Sequence, residues 1–141
     1  MSKSFINKFA TIKIHKHKNI LHIDFKGEGT NQDVDDFYDE LLRIYTKKQK
    51  KNKKFNLVVD TTNMISVNVC LKHMIRFIRF SYDNEHITGK LTKKMSVVVD
   101  SQYYIIVSTL EQMFVLRQPL SETKFYTDLK EAFKCSTITK N

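Results

Sequence analysis

Phe55-Asn-Leu-Val-Val-Asp-Thr-Thr-Asn-Met64, followed by Ser66-Val-Asn-Val-Cys-Leu-Lys-His-Met74, sets the frame for the rest of the chain. An apolar run stops at Asp60, turns over polar residues, and opens into a helical pattern. The same order returns at Met95-Ser-Val-Val-Val-Asp100. Short Val/Leu runs that lack in/out alternation and are flanked by helical patterns belong to strands covered on both faces. They predict a small α/β domain with these two strands at the centre of its sheet.

N-terminal to this centre, Phe9–His15 and Ile20–Phe25 alternate apolar and polar residues, with a short polar link between them. They predict an antiparallel hairpin with one buried face, carrying Leu21, Ile23 and Phe25 on one strand and Ile12 and Ile14 on the other. Residues 31–45 place Val34, Phe37, Leu41 and Ile44 at helical spacing, with Thr30 or Asn31 as the cap. Acids crowd the first half of this helix and lysines its end, in the sense that complements the helix dipole.

C-terminal to the centre, a second helix is expected over about 66–82. Val67, Cys70, Leu71, Met74, Phe77, Ile78 and Tyr82 form its wide apolar face, and Lys72, Arg76 and Arg79 a basic stripe opposite. A polar loop over 83–94 follows, then the second central strand. A third helix over about 101–118 carries Tyr103, Val107, Leu110 and Phe114 on one stripe and ends at Pro119. Lys124–Tyr126 reads as a short edge strand, and Thr127 as the cap of a last helix over 128–135. The organisation expected is an N-terminal arm over 1–8, one domain over 9–135 and a tail over 136–141.

A chain of 141 residues with 41% hydrophobic residues can bury a core without metal or disulfide staples. Three Gly and one Pro leave little room for a turn-rich all-β architecture. The start of the chain lacks the apolar segment of a signal peptide, and no apolar run reaches membrane-spanning length, so a cytoplasmic protein is expected. Cys70 and Cys135 read as reduced, partly buried thiols. The net charge of +9, with 20 of 24 basic residues being Lys, favours encounters with acidic partners of any kind.

The order of hairpin, helix, strand, helix, strand, helix, short strand and helix resembles the STAS family, whose founding members are bacterial anti-sigma-factor antagonists. Gly27-Glu28 stands where that family turns from its hairpin into its first helix. Leu57-Val-Val-Asp60 matches its central strand, and Phe125–Phe133 its closing strand and capped helix with a Glu-Ala pair. The resemblance implies a STAS-like single domain: an antiparallel hairpin joined to a mixed, mostly parallel sheet of about five strands, with four to five helices. It also implies partner binding without catalysis. The antagonists carry a phosphorylated serine in an Asp-Ser-Ser-Gly element. Here the corresponding region is Ser66-Val-Asn-Val-Cys70, and Ser66, Thr61 and Thr62 are only nearby hydroxyls. The chain is closer to divergent, SpoIIAA-like members of the family, and no phosphosite is assigned.

Asp60 and Asp100 would end neighbouring strands at the edge where open α/β sheets place ligands. With Thr61, Thr62, Asn63 and Ser101 they could hold a metal or a phosphate. The commoner arrangement is that each Asp accepts amide hydrogen bonds in its own turn, and no third acid or nucleophile completes a site. His15, His17 and His22 lie on or beside the hairpin. A metal would need three or four ligands from distinct elements, whereas histidines on an exposed sheet face are ordinary. His73 reads as a lone surface residue.

Lys47–Lys54 is the densest charge run and could meet phosphates of nucleic acid or anionic lipid. It lacks the interleaved aromatics of single-strand binders, and a solvated helix end is the simpler reading. The expectation is a non-enzymatic interaction module without cofactor, taking a protein partner or a second copy of itself. Its candidate surface is Asp60, Thr61, Thr62, Asn63, Ser66, Asn68, Lys72, Arg76, Arg79, Asp100 and Ser101. The alternative is a basic binder of nucleic acid or anionic lipid through Lys47–Lys54 and Lys72, Arg76 and Arg79.

Overall fold

A computed structural model describes residues 4–64, 66–103, 107–109, 111–112 and 121–137. Six strands form one sheet in sequential order: β1 (Ser4–Ile6), β2 (Ala10–His15), β3 (Ile20–Phe25), β4 (Phe55–Asp60), β5 (Thr92–Val98) and β6 (Glu122–Tyr126). The first three pair antiparallel, and β3 to β6 run parallel. Helices α1 (Asn31–Lys50), α2 (Val67–Asp83) and α3 (Glu85–Leu91) lie in the crossovers, and α4 (Leu129–Ser136) follows the last strand. This is the mixed, mostly parallel α/β architecture expected.

Successive parallel strands are added in one direction, and right-handed crossovers then put their helices on a single face. Strand parity shows the result. Leu21, Ile23 and Phe25 of β3, Leu57 and Val59 of β4, and Met95 and Val97 of β5 join one core cluster. Val34, Phe37, Leu41 and Ile44 of α1, Met74 and Phe77 of α2, and Leu91 of α3 complete it. The opposite parity, Ile20, Val58 and Val98, packs under α4 through Ala132, Leu129 and Phe133. Coverage from both sides is why β4 is buried along its whole length.

Local chemistry fixes the elements. Thr30 caps α1 in a reciprocal box with Asp33. Ser66 caps α2 by accepting from the Val69 amide. Asn56, buried in β4, repairs a register shift between β4 and β5: its Oδ1 accepts from the Lys94 amide at 3.1 Å, and its Nδ2 donates to the Ser136 carbonyl.

Several expectations change. Ser4–Ile6 is no arm; it pairs with β2, Phe5 opposite Ile12. Ser136 belongs to the domain rather than the tail, since it is fully buried and its hydroxyl bonds Ser96 at 2.7 Å. The loop expected over 83–94 contains α3, which the Thr88 hydroxyl ties to the Ser81 carbonyl at 2.7 Å. Asp128, and not Thr127, caps the last helix. Of the helix expected over 101–118, Ser101–Tyr103 is a 3-10 turn and 107–109 and 111–112 are helical. Val107 packs on the core, and the rest, with Pro119, lies outside the described residues. Cys70 is buried and Cys135 exposed, both as free thiols.

Candidate functional site

At the carboxyl edge of the parallel strands, Asp24 of β3 sits in register beside Asp60 of β4. The turn after β4 is closed on itself. The Thr62 amide and hydroxyl donate to Asp60 Oδ1 at 2.9 and 2.7 Å. Thr61 donates its amide and hydroxyl to the Val98 carbonyl. Asn63 Nδ2 spans both oxygens of Asp24 at 3.1 and 3.2 Å. Burial pushes the Asp24 carboxyl up, the Asn63 bond opposes this, and the Asp60 charge adds to it.

Asp60, Thr61, Thr62 and Asn63 are thus brought together, with Asp24 as a member that sequence reasoning missed. The missed signal was the period of two that puts Asp24 on the same face as His22. Asp100 serves a separate turn, accepting from Gln102 through its amide at 3.1 Å and its Nε2 at 3.2 Å. Ser101 is exposed in the same turn. Each strand-ending Asp is therefore engaged by its own turn. Among the described residues no group of three or more His, Cys, Asp or Glu side chains is placed to hold a metal ion.

The histidines differ from the sequence reading. His22 is buried, not exposed, because α4 lays Phe133 against it at 5.0 Å between ring centres, and the same ring reaches His15 at 5.2 Å. Burial lowers His22 from 6.5 to about 4, against the pull of Asp60 and with added repulsion from His15 and Lys13. His17 lies in the exposed Lys16–Lys18 turn. His73, expected on the surface, is half-buried edge-on against Phe9 at 4.8 Å.

The remaining candidates form a second group. Asn68, Lys72, Arg76 and Arg79 line an open groove of about 850 Å³ on the outer side of α2, where it meets α1. Tyr38, Leu71, Ile75 and Phe80 supply apolar surface and Asp83 an acidic end. The Arg76 guanidinium stands 5.5 Å from the Tyr38 ring centre and 3.6 Å from Asp35. Tyr38 stacks on Phe80 at 4.9 Å. Its hydroxyl is buried with no hydrogen-bond partner among the described residues, and burial holds its pKa above the ordinary phenol value. The basic stripe was visible in the spacing of α2. The aromatic floor was not, because Tyr38 comes from α1.

Ser66, half-buried, links the two groups as the α2 cap. The Lys47–Lys54 run lies apart, in the last turn of α1 and the chain after it, exposed except at Lys48.

A family model described as SpoIIAA-like matches residues 20–134. No curated protein matches the chain, and no solved structure does. No described helix is long and apolar enough to cross a membrane.

Proposed function

The chain belongs to the SpoIIAA-like family of STAS-type domains, and on that premise we propose that it is a non-enzymatic interaction module docking an acidic segment of a protein partner along α2. The observation that carries this reading is the groove itself. Tyr38, Leu71, Ile75 and Phe80 give it an apolar floor, and Lys72, Arg76 and Arg79 give it a basic edge. Aromatic and Arg side chains side by side are the groups on which binding energy concentrates at protein interfaces. Arg76 is held by Tyr38 and Asp35 before any partner arrives, so less side-chain entropy is lost on docking. The turn after Asp60 contributes shape: the Thr62 hydroxyl is committed to the Asp60 carboxylate and the Thr61 hydroxyl to the Val98 carbonyl, which suits a rigid support for the start of α2.

The test is a pull-down from native host lysate with wild type and the Arg76→Glu/Arg79→Glu variant, at low and high salt. The expected result is a discrete protein that survives high salt with wild type and is lost with the variant. Retention unchanged by the variant, or turnover abolished by Asp60→Asn, would overturn the proposal.

A further inference from the structure

The helices of the main face cover β3 to β5 and the buried Ala10–Ile12 half of β2, and β1 with the end of β2 extends the sheet past the flank of α1. On that overhang Phe5 and Ile14 remain only partly buried, although their parity points them to the core side. With Ile12 and Ile44 they floor a cavity of about 410 Å³ between the hairpin and the carboxyl end of α1. The cavity sits in the lower part of the roughly 300–1,000 Å³ range of small-molecule sites, room for one alkyl chain rather than two.

Its rim is cationic. Lys16 comes from the turn between β2 and β3, and Lys48, Lys51 and Lys53 from the end of α1 and the following turn. The carboxylate on this rim, Glu40, is taken by Arg43 through two contacts of 2.5 and 2.7 Å, so that pair cancels. Among the described residues no carboxylate lies at ion-pair distance from Lys16, Lys48, Lys51 or Lys53. Lys48 registers the crowding: burial lowers its pKa first, and the charges of Lys53, Lys51 and Lys16 lower it further. Like charges gathered around an apolar floor raise the free energy of the empty site, and an anion with an alkyl chain relieves both terms.

We propose that this cavity binds a single-chain anionic amphiphile, a fatty acid or an alkyl phosphate. Its chain lies on Phe5, Ile12, Ile14 and Ile44, and its head lies among Lys16, Lys48, Lys51 and Lys53. The site is independent of the α2 groove. A bilayer surface fits less well. The large hydrophobic side chains exposed among the described residues are Ile6 and Leu42, and neither borders the cavity. A nucleic acid fits less well because Phe5, the aromatic ring among the described lining residues, lies on the apolar floor, and none is interleaved with the lysines as a stacking series for successive bases.

The experiment is calorimetric titration of the full chain with dodecanoate, dodecyl phosphate and the neutral dodecyl maltoside, each below its micelle concentration. Anionic vesicles and a single-stranded RNA oligomer run in parallel. The expected result is saturable one-to-one binding of at least one anionic ligand, and the tighter of the two identifies the head group. Lys48→Gln/Lys51→Gln, which removes charge without removing a core side chain, should weaken this binding about tenfold, some 1.4 kcal/mol. Phe5→Ala should weaken it through the chain, with circular dichroism confirming the fold. Equal affinity for the neutral detergent, binding of vesicles or RNA alone, no binding at all, or affinity indifferent to both variants would each overturn the proposal.

Discussion

Tyr45 of α1 and Thr92 of β5 meet inside the core through a 2.6 Å hydrogen bond between their hydroxyls. Both are buried, and Tyr45 also rests on Phe55 at 5.0 Å. The bond ties the end of the first crossover helix to the start of a strand that is remote in sequence. Removing one partner strands the other hydroxyl away from water, which costs about 1–3 kcal/mol. Tyr45→Phe should therefore lower the unfolding free energy by that amount in urea titration. Adding Thr92→Val should return part of the loss, because the orphaned hydroxyl disappears. A double variant as unstable as the sum of the singles would show that the bond is incidental.

Gly29 holds a φ of +103°, and a Cβ there would stand 2.6 Å from Asp33 Oδ2. That oxygen accepts from the Thr30 amide at 2.8 Å, while the Thr30 hydroxyl accepts from the Asp33 amide at 3.2 Å. Gly29→Ala thus strains the backbone and pushes out half of the capping box together, for about 1–3 kcal/mol. Thr30→Ala should cost about 1 kcal/mol. The two losses should overlap, since they act on one cap. Thermal melts of both singles and the double measure this, and strict additivity would separate the strain from the cap.

The central strands were legible because Leu57-Val-Val59 and Val97-Val-Val99 are unbroken apolar runs, and α1 because Val34, Phe37, Leu41 and Ile44 repeat at its period. The short elements were not. β1 has three residues, too few for alternation to register, and it forms because β2 offers a free edge. In α3 only Ile87, Thr88 and Leu91 are buried, and Gly89 argues locally against helix. The candidate surface divides along the same line. Lys72, Arg76 and Arg79 share a helix, so their spacing exposed them. Tyr38 and Asp24 reach their partners across the fold, and no local pattern encodes that.

His22 shows most clearly what strand parity leaves open. Alternation places it on the face away from α1, but whether that face is wet depends on α4, more than a hundred residues later in the chain. With Phe133 against it, the ring is lowered from 6.5 to about 4, burial being the largest cause. A histidine whose pKa is depressed by folding binds protons more readily when unfolded, so stability falls as pH drops from about 6.5 towards about 4. His15, also lowered, acts in the same sense, while the raised Asp24 acts in the opposite sense at the acid end. Discounted for partial exposure, the His22 contribution is about 1–2 kcal/mol. His22→Leu should accordingly flatten the unfolding free energy between neutral pH and the lower end of that window. Phe133→Ala, by wetting the ring, should move the His22 midpoint back towards 6.5 in an NMR titration. Equal pH slopes for wild type and His22→Leu would mean that α4 does not close over this face in solution.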